Sequence, residues 1–252
     1  MHIVFLICAL STGIYAIVVW WKVPETLPSD IKEQSGIQGR SPASPIRLRE
    51  HKLLLWITLS AMPVTLLYAQ VESTFPLHLQ TRFENFQTIY ATLMTFNGLT
   101  VILLQIWIAR KTKDFPVRWI MAVSYALFAA VSLGYGFAPW FAMLLAVELI
   151  FTIGEMLNGP HMQKLVSVIA PPEHRGLYFS IFGMNWQLAR AIGPLLGGLI
   201  LSRLNGECLF ALLAFLIAAG GCSMFVLGKK MAESSDAPEC EAARAPSADA
   251  PA

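Results

Sequence analysis

Ala191-Ile192-Gly193-Pro194-Leu195-Leu196-Gly197-Gly198 lies inside an apolar run long enough to cross a bilayer. Glycine and proline at such density destabilise a helix in water. Inside a membrane helix they are tolerated, and small residues let neighbouring backbones approach closely. Ala189, Gly193 and Gly197 recur every four residues, so they form one stripe along a helix face. Pro194 removes an intrahelical hydrogen bond and favours a kink, which adds a possible gate to the packing role. Working outward from this run, six further apolar segments appear. A membrane helix needs roughly 20 residues to cross about 30 Å of hydrocarbon. The seven runs predict spans near residues 2–21, 53–71, 87–109, 119–136, 140–160, 177–201 and 208–227. The expected fold is an all-α integral membrane protein with seven transmembrane helices.

Composition leads to the same class. Of 252 residues, 56% are hydrophobic and 13% charged, whereas a soluble domain carries about 25% charged residues. The formal net charge of +2 says little; the distribution says more. Fourteen Lys and Arg residues flank the spans on one side: Lys22, Lys32, Arg40, Arg47, Arg49 and Lys52, then Arg110, Lys111, Lys113 and Arg118, then Lys164 and Arg175, then Lys229 and Lys230. Only Arg82 and Arg203 fall on the other side. Basic residues mark the cytoplasmic face, so the amino terminus is expected outside and the carboxyl terminus inside. No Lys or Arg precedes the first run and Lys22 follows it, so this segment reads as a retained helix and not as a cleaved signal peptide.

Four segments follow: a first transmembrane helix over 1–21, a cytoplasmic linker over 22–52, a six-helix bundle over 53–227, and a disordered cytoplasmic tail over 228–252. The linker contains Pro24, Pro28, Gly36, Gly39, Pro42 and Pro45, and the tail is rich in Ala, Pro, Ser, Asp and Glu. Spans two to four and five to seven form two units of three. An odd number of crossings makes the second unit enter from the opposite side, the topology of an inverted repeat.

Three stretches carry a family resemblance. The first is Asn97-Gly98 through Gln105, with Ala109-Arg110 and Arg118. The second is Gly154-Glu155-Met156 through Pro160, with Ala170-Pro171-Pro172-Glu173-His174-Arg175-Gly176. The third is Tyr178 through Gly183 and Trp186, with Gly193-Pro194 and Gly197-Gly198. Together they resemble the eighth, tenth and eleventh helices of a major facilitator superfamily transporter of the bacterial drug-efflux-like group, and the run ending Trp21-Lys22-Val23-Pro24-Glu25-Thr26 resembles its sixth. Residues 53–227 thus look like the carboxyl-terminal half of such a transporter. The resemblance implies a multi-pass protein of the bacterial inner (plasma) membrane. It also implies proton-coupled efflux of drug-like or amphipathic small molecules by an antiporter. One bundle supplies half of a central cavity, so the implied partner is an amino-terminal half or a second copy. Two features depart from the pattern: the basic loop of Arg110, Lys111 and Arg118, with Arg175 in the later loop, lacks the family's Gly and Asp spacing, and Arg190 stands where a small residue is expected.

Only Glu148, Glu155 and Arg190 are charged residues well inside spans, and such residues usually face a cavity or a partner. Glu148 and Glu155, seven residues apart, lie on one helix face about 10 Å from each other, with Asn158 nearly in line. Depth along the helices suggests an Arg190–Glu148 ion pair, leaving Glu155 near Asn185 and Asn158. Glu155 is the candidate for proton titration or binding of a cationic substrate; its plainer role is packing through a hydrogen bond. Asn97, Gln187 and Asn185, with Gln105, Tyr68 and Gln70, are candidates to line a polar path, although each taken singly is more often an interhelical hydrogen bond. Trp119, Trp140 and Tyr178 read as interface anchors, and His161 and His174 as solvated loop residues.

Enzyme motifs are absent. There is no Walker sequence, no His-Glu-x-x-His and no paired Cys motif, and Cys8, Cys208, Cys222 and Cys240 have no metal-ligand spacing. No cofactor or metal is expected, and no nucleic acid, because the basic residues hug the membrane and meet lipid. Two other readings remain beside the transporter half: an inactive truncated fragment of one, and a seven-helix receptor. No lysine lies in the seventh span to carry a retinal Schiff base.

Overall fold

In hydrocarbon a backbone has no water to bond, so a long apolar run closes its hydrogen bonds within itself as helix. The computed structural model describes the backbone of residues 2–22, 52–171 and 174–242, with side chains over 5–22, 52–171 and 174–229. Seven helices occupy these residues: α1 (His2–Lys22), α2 (Lys52–Gln80), α3 (Phe86–Thr112), α4 (Val117–Phe137), α5 (Phe141–Ile169), α6 (Arg175–Arg203) and α7 (Gly206–Ala242). Six of them, all but α6, are long and apolar enough to cross a membrane. α6 has the length, at 29 residues, but Asn185, Gln187 and Arg190 dilute its apolar character.

Several helices outrun the spans expected from sequence. α2 continues from Val71 to Gln80, where the sequence suggested a long external connection. Glu72, Ser73 and Gln80 end the apolar run, yet Phe75, His78 and Leu79 remain buried, so the core-facing stripe continues when the run does not. α5 passes Pro160 and continues to Ile169 for the same reason, with His161, Met162 and Val166 buried. α7 extends to Ala242, so the first part of the expected disordered tail is helical. Lys229, Lys230, Met231, Ala232 and Glu233 are good helix formers, and adding residues to an existing helix is cheap. The linker residues 23–51 and the tail residues 243–252 lie outside the described residues.

The chain divides into two units, residues 1–50 and 51–252. In the first, α1 is apolar on every face and ends at Lys22, a cation favourably placed at a helix carboxyl end. In the second, α2–α7 form a bundle whose principal pairings are α4 with α7, α4 with α5, α2 with α6, α3 with α5, and α2 with α7. Exchanging α2–α4 with α5–α7 maps each of these pairings onto another or onto itself, which is the contact pattern of a two-fold internal repeat. The core holds Phe75, Tyr125, Phe128, Tyr135 and Phe210. Phe75 and Tyr135 have ring centroids 4.3 Å apart, and Phe210 meets Phe75 edge-on at 5.9 Å.

Hydroxyls join the helices. Ser132 Oγ donates to Phe210 O at 2.7 Å, Ser124 Oγ to Gly154 O at 3.0 Å, and Tyr125 OH to Ser60 O at 3.1 Å. Ser60 and Ser223 hydroxyls lie 2.8 Å apart. Such bonds average below about 1 kcal/mol each inside membranes, and they set which faces meet. Outside this core the bundle exposes large apolar side chains, among them Ile102, Ile106, Trp107, Leu195 and Phe215.

Candidate functional site

The small-residue stripe of α6 decides how closely that helix approaches α2. Ala189, Gly193 and Gly197 are buried. A Cβ added at Gly193 would stand 2.8 Å from that of Ala69, and one at Gly197 would collide with the Gln70 carboxamide. Gln70 uses the space: its Nε2 donates to Gly193 O at 2.8 Å, and its Oε1 accepts from Thr74 Oγ1 at 2.5 Å. Asn185, one turn before Ala189, is buried at the same seam. It accepts from Thr65 Oγ1 at 2.9 Å and donates to Thr58 O at 3.1 Å. Asn185 and Gln70 thus pin α2 to α6. Pro194 and Gly198 lie off this seam; Pro194 is exposed, and nothing lies within 4 Å of where a Gly198 side chain would begin.

With α6 drawn onto α2, a cavity of about 180 Å³ opens beside α5. Its walls include Thr65, Tyr68, Glu155, Asn158, Gln163 and Trp186. Glu155 is half-buried, and its Oε2 accepts from Asn97 Nδ2 at 3.1 Å. The same amide nitrogen lies 3.0 Å from Thr152 Oγ1, whose hydroxyl donates to Glu148 O at 2.8 Å. Tyr68 packs against Trp186 at 5.1 Å and against Phe151 at 5.0 Å, so an aromatic wall faces the carboxylate. The arrangement suits a small cationic or protonatable group: one carboxylate, amide dipoles and two π faces.

The expected Arg190–Glu148 pair does not form. Arg190 Nη2 lies 3.0 Å from Glu72 Oε1 on α2, with both side chains more than half exposed (58% and 53%). Its guanidinium also sits 5.8 Å from the Trp186 ring centroid. Glu148 is fully buried and turned toward α4, where Tyr135 OH donates to its Oε2 at 2.8 Å. Its Oε1 has no hydrogen-bond partner among the described residues. Similar depth therefore did not mean adjacency, because the two side chains leave their helices in different directions. Glu155 likewise meets Asn97 and not Asn185. Gln187 is exposed on the flank of α6 near Arg190.

Sequence reasoning missed Glu72 because the second span was ended one residue earlier. It also missed the Tyr135 contact, since a tyrosine in an apolar run carries no positional signal. His161 is buried, not solvated: its Nδ1 lies 2.9 Å from Leu157 O. Tyr178 is buried against Leu54, Val166 and Ala170 and is no interface anchor. Cys8, Cys208 and Cys222 are exposed thiols. Of the basic loop residues, Arg110, Lys111 and Arg175 are exposed and Arg118 is half-buried. No group of His, Cys, Asp and Glu suited to a metal occurs among the described residues.

Known proteins place this bundle in a family. Residues 73–248 match the model described as Major Facilitator Superfamily. The chain is 27% identical over 221 residues to an uncharacterized MFS-type transporter, YhjO, of Bacillus subtilis, covering 88% of this chain and 53% of that protein. It is 29% identical over 109 residues to a Na(+), Li(+), K(+)/H(+) antiporter of Planococcus maritimus, with 43% and 26% covered. Over 83 residues it is 39% identical to the lincomycin resistance protein LmrB of Bacillus subtilis, with 32% and 17% covered. The chain spans about half the length of the relatives it matches over most of its own length, 53% and 45% of the first two. Because the family match runs through all of α3–α7, the chain belongs to the Major Facilitator Superfamily.

Proposed function

We propose that this chain supplies the cavity-lining half of a secondary transporter that exchanges protons for drug-like or amphipathic small molecules. The observation that carries the reading is Glu155, a half-buried carboxylate held by Asn97 in the lining of an aromatic-walled cavity. A carboxylate binds one proton or one monovalent cationic group. Each displaces the other, which is the simplest chemistry of one-for-one antiport. A relative named as a Na(+), Li(+), K(+)/H(+) antiporter supports the proton exchange, and one named for lincomycin resistance supports the drug-like substrate.

The half of the cavity on this chain needs a facing wall. Glu72, Gln187 and Arg190 are exposed on α2 and α6, and charged groups are costly against lipid. An amino-terminal bundle or a second copy across an aqueous cleft accommodates them, and rocking of two such bundles gives alternating access. The basic loops orient the chain with its amino terminus outside and its carboxyl terminus in the cytoplasm of the bacterial inner membrane.

The test compares cells carrying the native allele with cells carrying Glu155→Gln. Extrusion of a fluorescent lipophilic cation is measured across an imposed pH gradient. The reading expects extrusion to lose its dependence on the gradient in the variant. Unchanged gradient-driven extrusion would overturn it.

A further inference from the structure

A second cavity shares no lining residue with the first, although Gln163 of the first adjoins Lys164 of the second along α5. It occupies about 480 Å³ where the first turn of α4 meets α2, α5 and α7, at the span ends that carry the basic residues. Arg118 and Lys164 line it, and the remaining wall is almost wholly apolar, including Val117, Leu165, Val168 and Leu227.

We propose that this cavity binds an anionic phospholipid, with the phosphate between Arg118 and Lys164 and an acyl chain along Leu165, Val168 and Leu227. Four observations converge. Among the described residues no carboxylate pairs with either cation. Arg118 Nε is buried without a hydrogen-bond partner among the described residues, a donor that a nearby negative charge compensates. α4 follows the N-cap Pro116 with no side-chain cap; the Trp119 and Ile120 amides bond Pro116 O, and the Val117 and Arg118 amides ahead of them have no intrahelical acceptor and stand beside the two cations. Val168, one turn beyond Lys164 on the same helix, is 70% exposed, so the apolar wall opens sideways toward the bilayer. A free phosphate would use the cations and waste the apolar wall. A zwitterionic lipid would bring a choline or ethanolamine cation to a positive site. The anionic diacyl lipid satisfies both parts. Basic pockets at the ends of membrane helices select such headgroups on electrostatic grounds.

The experiment is native mass spectrometry of the full chain in neutral detergent, after exchange with phosphatidylglycerol, phosphatidylcholine or inorganic phosphate. One phosphatidylglycerol per chain should be retained in preference to phosphatidylcholine. Arg118→Gln or Lys164→Gln should each lower retention about fivefold, and the pair should lower it further. Lys113→Gln, at an exposed cation outside the cavity, should leave retention unchanged. Val168→Trp keeps both charges and fills the acyl groove, so it should also lose the lipid. That variant decides the matter if circular dichroism shows that the charge variants fail to fold. Equal retention of phosphatidylcholine, full competition by inorganic phosphate, or retention undiminished in Val168→Trp would each overturn the proposal.

Discussion

Asn97 on α3 donates through a single amide nitrogen toward both Glu155 Oε2, at 3.1 Å, and Thr152 Oγ1, at 3.0 Å. This contact ties the candidate carboxylate to a neighbouring helix, so any motion of α3 against α5 changes the environment of Glu155. Hydrogen bonds to charged groups contribute about 1.5–3 kcal/mol. Asn97→Ala should therefore weaken proton-dependent extrusion by about tenfold or more, while expression stays near that of the native chain. Measurement of the extrusion rate against external pH checks this, and an unaltered profile would remove Asn97 from the site.

The α2–α6 seam makes a sharper stability prediction. Gly197 has no room for a side chain against Gln70 and Thr74, whereas Gly198 faces open space. Gly197→Val should destabilise the bundle by about 1–3 kcal/mol, the usual cost of overpacking. Gly198→Ala should leave it unchanged or slightly more stable. Thermal unfolding of both variants in the same detergent distinguishes the seam from the outer face.

Glu148 depends on a single donor. Removing the Tyr135 hydroxyl with Tyr135→Phe leaves both oxygens of a buried carboxyl group without a partner, at a cost of about 1–3 kcal/mol. Replacing the carboxyl as well, in the Tyr135→Phe, Glu148→Leu double variant, should recover part of that loss. Denaturation of the four combinations as a double-mutant cycle measures the coupling, and additivity would mean the contact is energetically silent.

Arg190 offers a test between two partners. Reversing the pair with Arg190→Glu and Glu72→Arg should restore more transport than Arg190→Glu alone, since the two groups meet at 3.0 Å. The combination of Arg190→Glu with Glu148→Arg should restore nothing and should unfold the bundle, because it places an arginine in a fully buried position. The exposed pair itself contributes no more than about 1 kcal/mol, so the informative readout is transport and not melting temperature.

Orientation is checked with cysteine labels in a chain whose native cysteines are replaced. Ser202→Cys, near the end of α6, should react with an impermeant thiol reagent added outside intact cells. Lys113→Cys, beyond α3, should react only after the membrane is opened. The reverse pattern would invert the assignment made from the basic loops.

Much of the bundle is legible in the chain. Runs of about 20 apolar residues separated by basic or proline-containing turns mark each helix, and the four-residue recurrence of Ala189, Gly193 and Gly197 marks a packing face. The helix ends were less legible. A drop in hydropathy at Glu72 or His161 signals exposure to polar surroundings, and a helix does not stop there if the next turn still buries Phe75 or Met162. The candidate site was half legible. Glu155, Asn97 and the glycine stripe stand out because polar and small residues are costly or unusual inside a membrane span.

Partners were another matter. Glu148 and Arg190 lie at similar depths, and depth is all that counting along helices can provide. Which way each side chain points depends on helix rotation, and rotation is decided by the packing of whole faces. The close approach of α6 to α2 at Gly193 and Gly197 turns Arg190 toward Glu72, and the aromatic core of α4, α5 and α7 takes Glu148 to Tyr135. Composition and periodicity thus determined that this protein is a bundle of membrane helices with carboxylates inside its spans, because the cost of exposing backbone and charge to hydrocarbon is local. Only the tertiary structure decided which polar groups meet, because that choice belongs to the joint packing of several helices and not to any one of them.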